Sequence, residues 1–253
     1  MTNVARIYAL ETKFEFLKSL RRPAYSIATL GLPLMFYAFF GLRSGMHNEG
    51  LSLPTYLLAT YGTFGVVGAS LFGFGVSVAM ERGAGWMLLK RASPMPPLAY
   101  FVAKLISATA FSALVVGSLF ALGALFGGVR LPALVWLELG GALVVGAVPF
   151  CAMGLALGYL ISPNAAVALI NIINLPMSFV SGLWLPVNML PPAVQQIAPF
   201  MPAYHLGQLA LGTIGVQSSQ PWYVHVLVLL AFTATALGVA AFAYRRDEGE
   251  TYG

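Results

Sequence analysis

Charged side chains are scarce in this sequence: they make up 8% of its 253 residues, while hydrophobic residues make up 59%. Soluble domains usually carry about 25% charged residues, and a soluble domain of this length could not bury so much apolar surface. The single cysteine, Cys151, excludes an internal disulfide and a cysteine-based metal cluster. The composition therefore indicates a protein solvated by a lipid bilayer.

Motifs for nucleotide binding and catalysis are also missing. No G-x-x-x-x-G-K-[ST] run occurs, so the chain has no phosphate-binding loop for ATP. H-E-x-x-H, G-x-S-x-G and a carboxylate pair within one apolar segment are absent, which argues against a membrane enzyme. A secondary transporter would usually show internal repeats and paired charges in the membrane, and neither is found.

Six apolar segments are long enough to cross a bilayer, which takes about 20 residues of helix. They are residues 24–42, 54–80, 104–127, 133–160, 164–185 and 222–244. The early part of the chain has scattered charges, so no cleavable signal peptide is expected. The sequence therefore predicts an all-α polytopic membrane protein with six transmembrane helices, in a single domain over residues 1–253.

The basic residues orient these segments, because Lys and Arg favour the cytoplasmic side. With the N-terminus inside, all of the 13 basic residues except Arg43 and Arg130 fall on cytoplasmic segments. We therefore expect both termini in the cytoplasm and the protein in the cytoplasmic (inner) membrane. The same bias accounts for the net charge of +5 better than a nucleic-acid-binding face does.

Residues 4–22 predict an N-terminal amphipathic helix, since Ile7, Leu10, Phe14 and Leu17 follow a 3-4-3 spacing. Such a helix would lie in the membrane interface with its basic side chains among lipid phosphates. The alternative is a plain cytoplasmic flank that only fixes orientation.

Small residues recur at every fourth position of the second segment. Gly154 and Gly158 show the same spacing in the fourth segment. Those in the second segment are Gly65, Ala69, Gly73 and Ser77. This pattern lets helix backbones approach closely in lipid. It predicts packing within one subunit or, alternatively, a surface shared with a second subunit.

Residues 186–221 are interrupted repeatedly by proline yet remain apolar. We expect two short helices, near 190–198 and 203–213, in a hairpin that re-enters the outer leaflet. Irregular backbone at that depth must be buried in protein or line a cavity. The hairpin would border the outer end of a transport path or, alternatively, cap the bundle.

Polar residues inside apolar segments are candidates for function, because burying them in lipid is costly. Glu138 is the one carboxylate within the six segments; it would contact a cation or cationic cargo, take up a proton, or reach water at the outer surface. Asn171, Asn174 and Ser178 share one helix face and would line a path or bond a neighbouring helix. The candidate pathway residues are Glu138, Asn171, Asn174, Ser178, Trp184 and Tyr204.

Residues 81–92 form a polar island after the second segment, with charges at both ends and an apolar centre from Trp86 to Leu89. Apolar anchors inside a charged rim suit a helix that inserts into a partner's groove. The alternative is an interfacial loop with Trp86 at headgroup depth. The candidate docking residues are Glu81, Arg82, Gly83, Gly85, Trp86, Leu88, Lys90 and Arg91.

Two motifs resemble those of type-2 ABC exporter (ABC-2 type) permeases. The run S-G-L-W-L-P at 181–186, followed by Leu190-Pro191, is similar to the family's S-G-x-x-x-P … L-P signature. The run E-R-G-A-G at 81–85, followed by Pro94, is similar to the family's E-R-x-x-G-T … P element. The order of elements resembles the family plan along essentially the whole chain, although Trp86 stands where the family often has threonine.

The resemblance implies a permease subunit of an exporter that works as a dimer, with a second copy of this chain as the expected partner. It implies that residues 4–22 are an elbow helix, 81–92 a coupling helix seated on a cytoplasmic ATPase subunit, and 186–221 a re-entrant hairpin. ATP and magnesium would be bound by that ATPase, and this chain would hold no cofactor or metal. Membrane lipids complete the expected partners.

The scarcity of embedded charge suits a hydrophobic or amphipathic cargo, such as a drug, an antibiotic or a lipid-like molecule. Export of a polysaccharide or lipid-linked glycan is the alternative, and it would call for a wide channel lined with aromatic side chains. A membrane scaffold without transport is the alternative outside this family.

Overall fold

The computed structural model describes residues 4–42, 47–48, 51–92 and 95–252, and these are overwhelmingly helical. Arg43 and Pro94, which were named above, lie outside the described residues. The α-helices are α1 (Val4–Leu20), α2 (Pro23–Phe36), α3 (Leu53–Leu71), α4 (Ser77–Gly83), α5 (Trp86–Arg91), α6 (Pro97–Leu125), α7 (Ala133–Val145), α8 (Ala147–Leu160), α9 (Ala166–Val180), α10 (Pro192–Ile197), α11 (Pro202–Thr213) and α12 (Trp222–Tyr252).

Short elements connect these helices. Five-residue π-helical turns, Tyr37–Gly41 and Phe72–Val76, extend α2 and join α3 to α4. Single 3-10 turns occur at Pro163–Ala165, Val187–Met189 and Ala198–Phe200. Two-residue strands β1 (His47–Asn48) and β2 (Leu51–Ser52) pair antiparallel, with His47 opposite Ser52 and Asn48 opposite Leu51.

The predicted transmembrane helices are present. Within the described residues, five helices are long and apolar enough to cross a membrane. They are Leu53–Gly83, Leu98–Leu125, Ala133–Leu160, Pro163–Val180 and Trp222–Arg246. A sixth span is reached if Val4–Leu20 and Tyr25–Gly41, which are bent by 66° to one another, are taken as one.

The predicted helix from 81 to 92 is not continuous. Helix α4 runs on to Gly83, past the predicted end of the second segment at 80, and a turn at Ala84-Gly85 separates it from the six-residue helix α5. Gly85 has φ of +73°, a left-handed conformation that glycine adopts without steric cost. Residues 81–92 therefore comprise the end of one long helix, a turn and a short second helix.

Helix α1 packs on α6, but its amphipathic pattern is weaker than the sequence predicted. Apolar and polar residues are spread almost evenly around its axis. Leu10 and Phe14 of the predicted stripe are exposed, while the carboxyl-bearing Glu15 is buried. The side of α1 that faces the bundle is thus partly polar, and the candidate site below explains why.

Helix α3 forms the centre of the bundle, with almost every residue buried against its neighbours. It contacts α2, α6, α8 and α11. Large apolar side chains such as Ile27, Leu125 and Phe242 are exposed on the outer helices. A polytopic protein needs such a surface, because it faces hydrocarbon instead of water.

The small residues serve packing within the chain. An added Cβ on Gly158 would lie 2.8 Å from the Cβ of Val78 and 3.0 Å from the carbonyl oxygen of Gly75. Gly154 lies equally close to Phe74, and an added Cβ on Gly65 would meet Pro33 at 3.0 Å. The prediction of packing within one subunit is confirmed for these three positions.

Replacing Gly158 by leucine should therefore destabilise the bundle, by about 1–3 kcal/mol, because the added atoms overpack the contact between α8 and the start of α4. Gly141 is the matched control, since it belongs to the same span and an added Cβ there meets nothing within 4 Å. Thermal unfolding in detergent should show a lower midpoint for G158L than for G141L. Equal midpoints would contradict the packing described here.

Candidate functional site

One end of the bundle collects the segments that the basic residues assigned to the cytoplasm. Near the end of α12, the ring of Tyr244 lies 5.5 Å from that of Tyr159 on α8 and 6.5 Å from that of Phe101 on α6. The guanidinium of Arg82 donates hydrogen bonds to the carbonyl oxygens of Tyr159 and Ile161, the latter at 2.8 Å. The segments that were predicted to share one side of the membrane therefore do meet.

A buried cluster of charges lies at this end, between α4 and α6. The ammonium nitrogen of Lys104 is 3.0 Å from Oε1 of Glu81, and the two residues are only 2% and 4% exposed. The hydroxyl of Tyr100 donates to the other carboxylate oxygen of Glu81 at 2.6 Å. Lys104 also donates to the hydroxyl of Ser77 at 2.7 Å.

Helix α1 supplies the other half of the cluster. Glu15 accepts from Lys104 at 3.2 Å, and Lys18 pairs both with Glu15 at 3.3 Å and with Glu81. Two carboxylates and two ammonium groups therefore meet, so their formal charges cancel. We call Glu15, Lys18, Ser77, Glu81, Tyr100 and Lys104 the charge cluster. Such a cluster is tolerable in a low-dielectric setting only while every member keeps its partners.

The cluster corrects one prediction. Glu81 was expected at the rim of a docking helix, but it is buried inside a helix, together with Lys104, which had been counted on the cytoplasmic side. The reason is that α4 extends to Gly83 and α6 begins at Pro97, seven residues before Lys104. The i, i+4 spacing of Ser77 with Glu81 and of Tyr100 with Lys104 was the sequence signal that these residues lie on helices.

The last turn of α4 is held from a second side. Arg82 hydrogen-bonds the end of α8, as described above. In addition, Gly83 lies so close to Pro163 that any Cβ on it would collide with the proline ring. Helix α4 is therefore fixed both to α1 and α6 through the charge cluster and to the turn between α8 and α9.

Helix α5 presents an apolar surface next to this anchored end. Trp86 is 49% exposed and Leu89 is 71% exposed, while Met87 packs inward. The ammonium nitrogen of Lys18 lies 5.3 Å from the centre of the Trp86 ring, within cation–π range. The side chains of Leu88, Lys90 and Arg91 lie outside the described part of the structure.

A cavity of about 590 Å³ opens among α1, α2, α3, α4 and α9. Two predicted pathway residues, Asn171 and Asn174, line it, and Asn174 is almost fully buried. Ser178 lies one turn further along α9 and donates to the side-chain oxygen of Asn174 at 3.5 Å. We call this space the inner cavity. Its walls also include Lys18 and Ser77, which belong to the charge cluster.

Trp184 lies behind a wall of the inner cavity. Its ring meets the rings of Phe36, Phe64 and Phe179 at centroid distances of 5.5, 5.7 and 6.2 Å. Its indole nitrogen is buried without a hydrogen-bond partner in the described part of the chain. Phe64 also lines the cavity, so Trp184 supports that wall from behind.

Glu138 lines a different cavity. This second space, of about 890 Å³, lies among α7, α8, α11 and α12, and Glu138 is exposed at it. The six predicted pathway residues therefore do not form one site: Asn171, Asn174 and Ser178 lie together, whereas Glu138 lies elsewhere.

A buried histidine pair at the second cavity was missed by the sequence analysis. The Nδ1 atoms of His205 and His225 are 2.8 Å apart. His205 also bonds the carbonyl oxygen of Pro199 at 2.8 Å, and His225 bonds the hydroxyl of Ser218 at 3.0 Å. Burial lowers the pKa of His205, which keeps it neutral. The ring of Tyr204 packs on both histidines, so the pair ties α11 to α12.

Comparison with known proteins gives two findings. The family model described as "ABC-2 type transporter" matches residues 8–214 of the chain. A protein of Bacillus subtilis (strain 168), described as "Putative transport permease YvfS", is 25% identical over 236 residues, which cover 92% of this chain and 95% of that protein. The matched region contains the charge cluster, α5, the inner cavity and α11.

Removing one member of the charge cluster should cost far more stability than removing a pair. Lys104→Gln leaves two buried carboxylates facing one lysine, and we expect a loss of about 3–5 kcal/mol. Adding Glu81→Gln should recover part of this loss, because the double variant leaves one carboxylate with one lysine. Thermal unfolding in detergent, with exposed Lys13→Gln as the control, measures the effect. Additive losses in the double variant would contradict the coupling.

Proposed function

The chain belongs to the ABC-2 type transporter family and is a multi-pass membrane permease of an ABC exporter rather than a catalytic enzyme; from this we propose that α5 is its coupling helix. In this proposal a separate ATPase subunit in the cytoplasm binds ATP and magnesium, because the chain has no phosphate-binding loop. Closure of the ATPase pair moves α5, and the permease carries its cargo outward.

One observation carries the proposal: the charge cluster and the inner cavity share residues. Lys18 and Ser77 line the cavity and are bonded to Glu81, three residues before the turn that leads to α5. A displacement of α5 therefore reaches the cavity wall through direct contacts. The anchoring of α4 by Arg82 lets it move as a unit with the turn between α8 and α9.

The docking surface in this proposal is narrower than the sequence suggested. Trp86 and Leu89 supply exposed apolar anchors, which a groove on the ATPase would cover. Lys90 and Arg91 remain predicted rim residues, since their side chains lie outside the described part of the structure. Glu81 acts inside the permease instead, where it holds the end of α4, and Gly85 permits the change of direction between the two helices.

The proposed orientation places this end in the cytoplasm, with both termini, and the chain in the inner membrane. Residues 4–22 serve as the elbow helix, and residues 186–221, which contain α10 and α11, as the re-entrant hairpin at the outer end. The bias of Lys and Arg supports this orientation.

The proposed path begins at the inner cavity, past Asn171 and Asn174, and a second copy of this chain completes it as a homodimer. The mostly apolar lining supports a hydrophobic or amphipathic small molecule, such as a drug, an antibiotic or a lipid-like compound. It gives less support to a polysaccharide, because Trp86, Trp184 and Tyr204 lie apart and do not line the cavity. Glu138 stands outside this path.

Leu89→Asp should uncouple the permease, because it places a charge in the apolar surface that the ATPase would cover. We expect at least a tenfold loss of ATP-driven transport in reconstituted vesicles and weaker co-purification with the ATPase, in line with the ~2 kcal/mol or more that interface anchors contribute. Leu89→Met is the matched control, since it keeps an apolar side chain at the same place.

Folding is checked separately, by the unfolding midpoint of each variant in detergent, which should be unchanged because Leu89 is largely exposed. Full ATP-driven transport in Leu89→Asp would show that α5 is not the coupling helix.

A further inference from the structure

We propose that the inner cavity selects amphiphiles with an anionic headgroup, and that Arg22 is the residue that recognises this charge. The proposal rests on the proposed function in taking the cavity as the start of the transport path. It adds the chemical class of the cargo, which the scarcity of charge in the sequence left open.

The charges around the cavity have one sign. Among the residues that the structure describes, Lys18 and Arg22 line it and no Asp or Glu does. Lys18 is already neutralised by Glu15 and Glu81 in the charge cluster. Arg22 is exposed and pairs with no carboxylate among the residues that the structure describes. One guanidinium is therefore available, and it favours an anion at the mouth while it repels a cation.

The cavity is polar at this mouth and apolar at its far end. Along α2 it runs from Arg22 past Tyr25 and Thr29 to Pro33, a rise of about 16 Å at 1.5 Å per residue. Leu32, Phe64 and Leu175 surround the far end. A molecule with an anionic head and an apolar chain matches this gradient, since the head stays near Arg22 while the chain replaces lipid contacts inside.

Gly68 keeps space for the chain. It lines the cavity, and an added Cβ would meet only the side-chain nitrogen of Asn174, at 3.8 Å. A larger side chain at this position would therefore point into the cavity without disturbing a helix contact. This gives a way to block the cavity without changing its charge.

The test measures binding to the permease in nanodiscs made of zwitterionic lipid, which carries no net charge. Fluorescent cis-parinarate is the probe, and dodecanoate and dodecylamine, which share a chain and differ in head charge, compete for it. We expect dodecanoate to displace the probe at roughly twofold to fivefold lower concentration than dodecylamine, the upper part of the range for a partly solvated ion pair. Arg22→Gln should remove this preference.

Two matched controls separate recognition from general effects. Arg21→Gln changes the neighbouring exposed arginine, which does not line the cavity, and should leave the preference intact. Gly68→Leu should weaken binding of both competitors. Gly117→Leu should not, because Gly117 lies outside the cavity and an added Cβ there meets nothing within 4 Å.

Equal affinities for the two competitors, or equal effects of Arg21→Gln and Arg22→Gln, would overturn the proposal. If the anionic preference is absent but ATP-driven transport of an uncharged cargo is observed, the exporter function is retained and only the anionic selectivity is rejected.

An additional experiment identifies the source of the anion. Stimulation of the ATPase of the assembled complex by dodecanoate identifies a cargo, while loss of probe binding in phosphatidylglycerol nanodiscs without stimulation identifies a resident anionic lipid; both outcomes support the anionic site.

Discussion

Four charged side chains buried at one end of the bundle set the arrangement of everything near the candidate site. Glu15, Lys18, Glu81 and Lys104 come from three different helices, and each compensates the others. An isolated charge in that position would be very costly, so α1, α4 and α6 are stable there only together. The exposed stripe on α1 follows from the same constraint, since the helix turns its polar side inward to complete the cluster.

The cluster also connects helix α5, the proposed docking helix, to the inner cavity, the proposed start of the transport path. Its members Lys18 and Ser77 form part of the inner cavity, and Glu81 lies on the last turn before α5. A short helix with exposed Trp86 and Leu89 would transmit little of its displacement to the bundle if it were attached by a flexible loop. Here it follows a helix end that is fixed on two sides, by the cluster and by the Arg82 hydrogen bonds.

Local patterns predicted the elements of this fold well. The apolar segments gave the spans, the bias of basic residues grouped the segments that meet at one end, and the small residues at 65, 154 and 158 gave close helix contacts. Predictions about individual polar side chains were less successful. Glu81 was assigned to the rim of a docking helix because charge usually ends an apolar span. The pairing of His205 with His225 was missed because twenty residues lie between them.

The sequence by itself determined the solvent, the apolar helices long enough to cross it and the family, because hydrophobicity and short motifs are properties of contiguous residues. Only the tertiary structure decided that Asn171 and Asn174 face one cavity and Glu138 another, and that two carboxylates and two lysines neutralise each other. It also placed Arg22 at a cavity mouth, where it pairs with no carboxylate of the described residues. The physical reason is that burial and pairing depend on distances between helices, and residues 15, 81 and 104 are brought within hydrogen-bonding range only when those helices pack.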